Sequence, residues 1–122
     1  PVLIDFTGFG CVNCRKMEAA VWTDPTVADM LNNQYVLISL YVDDKTPLAE
    51  PVEVSLNGQQ RTLRTVGDKW SYLQASKFGA NAQPYYIAID NDGRPLNHAY
   101  GFKEDVAAYI DYLQQGLKTY RR

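Results

Sequence analysis

Cysteine is scarce in these 122 residues, with two in total, and histidine scarcer still, with one. Two cysteines are too few for a small fold stapled by disulfides. Cys11 and Cys14 also lie only three positions apart, so a bond between them would close a very small loop and constrain the unfolded chain little. The pair reads as reactive rather than structural. A structural zinc site wants four ligands, and neither a second C-x-x-C nor a second histidine is present to complete one; His98 reads as an ordinary residue of an edge strand. An excess of charge of one sign is missing too: 12 basic residues face 14 acidic ones, and the basic ones are scattered apart from Arg121-Arg122. That excludes the electrostatic footprint of a nucleic-acid binder. No apolar run approaches the roughly 20 residues of a membrane helix. The longest, Tyr35 to Val42, is strand-sized and interrupted by Ser39, so no direct membrane insertion of this segment is expected. A charged and then apolar leader with a cleavage site is also lacking, so no compartment can be read from a signal peptide. The opening Pro1-Val2-Leu3-Ile4 reads as mid-strand, and residues 1–122 are expected to form one domain belonging to a longer exported or membrane protein.

The residues present describe an α/β chain. Val2-Leu3-Ile4-Asp5-Phe6 reads as a buried strand followed by Gly8 and Gly10 as loop punctuation. A helix is expected from the cysteine pair to Trp22, with Met17, Ala20 and Val21 sharing one face, until Asp24-Pro25 interrupts it. Thr23 or Asp24 can cap a second short helix that has Pro25 at its first position, buries Val27, Met30 and Leu31, and closes at Asn32-Asn33. Tyr35 to Val42 is read as a central strand. Val52–Leu56 and Gln60–Arg64 alternate in period 2 around Asn57-Gly58, a strong hairpin signal. Lys69 to Phe78 is expected to be an amphipathic helix with Gly79 as C-cap. Tyr85 to Asp90 reads as a strand, Asn91-Asp92-Gly93 as a turn, and Leu96 to Gly101 as its antiparallel neighbour. Val106, Tyr109, Ile110, Leu113 and Leu117 mark a last helix, with Gly116 a mild weakness in it. The fold class is an α/β sandwich, a mixed sheet flanked by helices, with an inserted β-hairpin.

A C-x-x-C at a strand-to-helix junction has a specific chemical use. The first sulfur sits at the helix N-terminus, where unpaired N–H groups and the positive dipole end favour a thiolate. Cys11 is then the attacking thiol, and Cys14, one turn in, can resolve the mixed disulfide through which exchange passes. The bland alternative is a pair of core cysteines that happen to lie three apart.

Asp5-Phe6-Thr7-Gly8-Phe9-Gly10-Cys11-Val12-Asn13-Cys14-Arg15-Lys16 resembles the active-site segment of the thioredoxin superfamily, and Gln83-Pro84 before Tyr85-Tyr86-Ile87-Ala88-Ile89 resembles its cis-proline strand. Cys-Val-x-Cys followed by Lys16-Met17-Glu18 and Trp22-Thr23-Asp24-Pro25-Thr26-Val27 is most similar to the C-terminal thioredoxin-like domain of the transmembrane thiol:disulfide interchange protein, the DsbD type. The resemblance implies a thioredoxin-like fold, with Pro84 cis and beside the disulfide, and with Val12, Asn13, Gln83 and Pro84 facing a substrate strand. On bare sequence an X-Pro bond is trans far more often than not. It also implies modulating roles for Asp5 and Glu18, which otherwise read as a strand-end acid and a solvated helix residue. Such acids oppose the helix dipole and are expected to keep Cys11 mostly protonated until a partner docks. The chain departs from the superfamily pattern at Gly10, where Trp usually precedes the first cysteine, and at Asn13, which replaces proline. The superfamily's first strand and helix are also absent. Phe9, in the loop before Cys11, can form an apolar docking rim or pack within its loop.

By resemblance the expected function is that of a protein-disulfide reductase. It would take electrons from a membrane-embedded donor domain and pass them to oxidised client proteins outside the cytoplasm, in the periplasm, with cytochrome c maturation factors among them. No cofactor is required, because both electrons reside on the sulfurs. A disulfide oxidase or isomerase remains open, as does a non-catalytic binding module on the same scaffold.

Overall fold

A computed structural model describes residues 1–121. Alternation along the first strand, β1 (Val2–Thr7), sets the layers. Leu3 points into one apolar cluster, while Ile4 and Phe6 point into another. Asp5 and Thr7 share the face of Leu3 by the two-residue period of a strand. The Leu3 face is covered by α1 (Val12–Ala20), α2 (Pro25–Asn33) and α4 (Val106–Tyr120) through Met17, Val21, Val27, Leu31, Tyr109 and Leu113. The opposite face is covered by α3 (Val66–Phe78) through Trp70, Leu73 and Phe78.

β1 is the middle strand of three, in the order β2-β1-β5. β2 (Val36–Tyr41) runs parallel to it and β5 (Tyr85–Ile89) antiparallel. The Tyr35–Val42 run, expected to be central, therefore lies at an edge of this sheet, and Val36 and Ile38 stay well exposed. A continuous apolar run reports strand propensity, not the number of neighbours a strand will have. β3 (Pro47–Leu56) and β4 (Gln59–Thr65) form a separate antiparallel hairpin. Its two-residue turn holds Asn57 at φ 52° and Gly58 at φ 78°, the left-handed pair such a turn demands.

α2 begins as the sequence suggests, with the Asp24 carboxylate accepting from the N–H groups of Thr26 and Val27. α3 starts three residues earlier than the apolar pattern indicates. Thr65 Oγ1 accepts from Asp68 N–H and Asp68 Oδ2 from Thr65 N–H, a capping box with Asp in the usual Glu/Gln position. Gly67, in that first turn, is buried where a Cβ would stand 2.7 Å from Asp44 N and 2.8 Å from Asp44 O. Only glycine lets α3 approach the end of β2 so closely, and Gly67 N–H donates to Asp44 O at 2.9 Å.

Three further expectations are corrected. Ala20 is exposed, and α1 buries Cys14 and Met17 instead. Residues 95–100 follow the edge of β5 only through isolated bridges, Ile89 to Pro95 and Tyr86 to Tyr100. Between the bonds Leu96 N–H to Ala88 O and Tyr100 N–H to Tyr86 O this segment has two more residues than β5, and Asn97 Oδ1 takes the His98 N–H away from the ladder. Gly116 is a packing requirement rather than a weakness, because α4 crosses the Tyr35 ring and the Ala88 side chain there. Tyr112, outside the expected apolar stripe of α4, is buried, and its hydroxyl accepts from Ala88 N–H at 3.1 Å.

Candidate functional site

β1 ends at Thr7, the Gly8-Phe9-Gly10 loop follows, and Cys11 is the N-cap of α1. The Cys14 N–H donates to Cys11 Sγ at 3.2 Å, so a sulfur occupies the place a capping oxygen would take at this helix. Cys11 and Cys14 are joined as a disulfide, with their Cα atoms 5.2 Å apart. The two sulfurs differ in access: Cys14 is 1% exposed, whereas Cys11 is partly open to solvent. An incoming group can reach the first cysteine and not the second.

The loop before Cys11 is tied down by a residue the sequence reading passed over. Asp43, just beyond β2, accepts from Phe9 N–H at 2.9 Å and Gly10 N–H at 3.1 Å. Those bonds, Gly10 first, hold its carboxyl below the usual range. The Phe9 ring stacks on Tyr41 with centroids 4.1 Å apart. Even so, Phe9 is 62% exposed and Val12 67%, so an apolar rim stands beside Cys11. Asp43 lies 33 residues from Gly10, and Asp43-Asp44 carries no local signal beyond that of a strand end. Asp43→Ala is expected to cost about 1 kcal/mol. It should also speed amide hydrogen exchange at Phe9 and Gly10, and unchanged protection there would mean that the loop is held by other contacts.

Beneath α1, Asp5 is 2% exposed and flanked in the sheet by Ser39 on β2 and Tyr86 on β5. Ser39 Oγ donates to Asp5 Oδ2 at 2.9 Å. Burial raises the Asp5 pKa to about 6 against the lowering effect of that bond, and the Glu18 charge adds a further rise. Burial likewise pushes up the Tyr86 phenol, helped by the Asp5 and Glu18 charges. Glu18 accepts from Arg15 Nη2 at 2.8 Å, and the same nitrogen donates to Thr7 Oγ1 at 3.0 Å. Arg15 is thus paired with one of the two expected acids, Glu18, and the charges of both are felt at Asp5.

Pro84 is buried, the Gln83–Pro84 peptide bond is cis, and the pairing of Phe6 with Tyr85 puts Pro84 at the end of the sheet from which the cysteine loop leaves. Val12 and Asn13 are exposed on the first turn of α1. The Gln83 side chain turns inward instead: its Nε2 donates to Oε1 of the fully buried Gln74, whose own Nε2 donates to Ala82 O. The Gln83 side chain is thus engaged within the fold. A surface groove lined in part by Arg61, Leu63, Asp68 and Tyr72, between the hairpin and α3, includes none of these residues. The chemistry lies on an open surface, as suits a large partner more than a small enclosed ligand.

A disulfide with one accessible and one buried sulfur, set at a helix N-terminus above a mixed sheet, is the equipment of a thioredoxin-like thiol:disulfide oxidoreductase. Residues 1–116 match the sequence profile described as thioredoxin-like domain, and the chain belongs to that family. No curated protein sequence matches it. Among solved structures it is similar to one described as DsbH oxidoreductase, with a TM-score of 0.64 at 18% identity over 97% of this chain and 72% of that one. It is also similar to the solution structure of a thioredoxin from Thermus thermophilus, with a TM-score of 0.58 at 20% identity over 93% of this chain and 71% of that one. At such identities the likeness is one of fold. Among the described residues no helix is long and apolar enough to cross a membrane.

Proposed function

We propose that this domain is a dithiol reductant of the DsbD type, which takes electrons from a membrane-embedded donor domain and passes them to oxidised extracytoplasmic proteins, cytochrome c maturation factors among them. The observation that carries the direction is the placement of Asp5 and Glu18. An acid buried on β1 beneath α1 and another one helix turn beyond Cys14 would disfavour the thiolate, and a reduced form that is little stabilised makes a reducing couple. The identity of the donor and clients and the extracytoplasmic location rest on the sequence resemblance around Cys11-Val12-Asn13-Cys14 and Trp22-Thr23-Asp24-Pro25.

In each turnover the Cys11 thiolate attacks a client disulfide, forming a mixed disulfide and releasing one client thiolate. Cys14 then loses its proton and attacks Cys11 Sγ, which releases the second client thiolate. Two electrons and two protons pass to the client, and the Cys11–Cys14 bond forms. Val12, Asn13 and the backbone around Gln83-Pro84 present the surface along which a client strand lies.

Equilibration of the couple against glutathione tests the direction. A potential near about −270 mV or below fits a reductant, and one near about −120 mV would reverse the direction of electron flow. A protein whose bond does not form and break reversibly, and which reduces no insulin, would be a binding module instead.

A further inference from the structure

Arg15 is the charged group in this region that the exchange chemistry described above leaves unused. Its guanidinium bridges two elements, with Nη2 on Thr7 Oγ1 at the end of β1 and on Glu18 Oε2 one helix turn on. Its Nε is buried and has no hydrogen-bond partner among the described residues. A cation half-sunk in this way gives up hydration, and what it gains is position: it stands between Glu18 and the face of β1 that carries Thr7 and Asp5.

We infer that Arg15 is a positioning residue that balances the charges of Glu18 and Asp5 beside the dithiol, so that the Cys11 thiolate forms more readily than the two acids alone would allow. The inference rests on Cys11 being the attacking thiol. The charged and titratable groups facing this region are Asp5 on β1, Glu18 and Arg15 on α1, Tyr86 on β5 and Tyr109 on α4, with Asp43 holding the loop on the far side of Cys11. Lys16 on the same helix is exposed, and Arg15 is the cation of this region that is paired with one of the acids. It lowers what Glu18 raises at both Asp5 and Tyr86, so the two side chains work in opposite senses on the same neighbours.

The test is the pH profile of Cys11 alkylation in the reduced protein, with limiting iodoacetamide and the modified residue located by mass spectrometry. Arg15→Met is expected to move the profile to higher pH and slow Cys11 alkylation at pH 7 by about fivefold, a modest factor because the ion pair is partly exposed. Arg15→Gln, which keeps an amide donor for Thr7 without the charge, should give the same shift and serves if the Met variant folds poorly. Arg15→Lys should stay within about twofold of wild type, and Arg15→Gln combined with Glu18→Gln should return toward it. A profile unchanged in Arg15→Gln, or one that Glu18→Gln does not restore, would reduce Arg15 to a packing residue and overturn the inference. The proposed direction of electron flow can fail on the measured potential while this shift persists, whereas modification of Cys14 before Cys11 in wild type would overturn this inference and leave the direction to the potential.

Discussion

Cys11→Ser is expected to abolish insulin reduction, by roughly 10³-fold or more, whereas Cys14→Ser should keep the first half of the reaction and lose the second. The asymmetry follows from burial. Cys11 is reachable and sits at the helix N-terminus, where N–H groups stabilise the developing thiolate; Cys14, 1% exposed, can meet only a sulfur already bonded to Cys11. Cys14→Ser should therefore accumulate a mixed disulfide between Cys11 and an oxidised protein, visible as a shifted band without reductant and lost with it. Cys11→Ser should accumulate none. Equal trapping by both variants would mean that the two sulfurs exchange roles, and full insulin-reducing activity in Cys11→Ser would remove Cys11 from the chemistry. Fold loss does not confound the comparison: the bond closes a loop of a few residues, so little stability rides on it.

The parts of this site that could be read in the sequence are those with a local signature. Cys11 and Cys14 declare themselves by spacing and by the strand and helix on either side. Asp24-Pro25 and Asn57-Gly58 give the α2 cap and the hairpin turn through backbone preferences that hold whatever the tertiary context. Asp5 stands out because an acid inside Leu3-Ile4-Asp5-Phe6 is costly to bury. Contacts made across the chain were not legible. Asp43 reaches Phe9 and Gly10 from more than 30 residues away, and no residue type near it announces a partner. Arg15 next to Cys14 reads as a good helix former, and only the fold brings Thr7 beneath its guanidinium. Gln83 carries a polar side chain at a position expected to face a client, yet the side-chain oxygen of buried Gln74 captures it. The edge position of β2 was hidden for a different reason: strand composition encodes burial of faces, and an edge is a property of which segments pair. The one missed local signal was Thr65-x-x-Asp68, a capping box that marks the true start of α3.

Asp5→Asn is expected to stabilise the oxidised protein above pH 7 by up to about 3 kcal/mol and to change its stability little at pH 4. The folded-state pKa of Asp5, about 6, lies above its ordinary 3.8, chiefly because burial penalises the charge. Between those values the folded protein holds a proton that the unfolded chain has released, so wild-type stability falls as pH rises through this window and is flat in this respect above it. Asparagine has no charge to lose, and its Oδ1 can still accept from Ser39 Oγ, so the variant avoids the decline without stranding the hydroxyl. Thermal melts of the two proteins at pH 4 and pH 8 separate the cases: a gap that opens only at pH 8 supports a destabilising buried carboxylate, and parallel curves would show that Asp5 is not a burdened acid. In the proposed reductant the same carboxylate disfavours the neighbouring Cys11 thiolate, so Asp5→Asn should also move the Cys11 alkylation profile to lower pH and raise the potential of the couple. A gain in stability coupled to a less reducing dithiol would mean that the fold tolerates an unfavourable buried charge for its effect on the sulfurs. A gain in stability with an unchanged potential would leave Asp5 a costly core residue and move the source of the reducing character to Glu18.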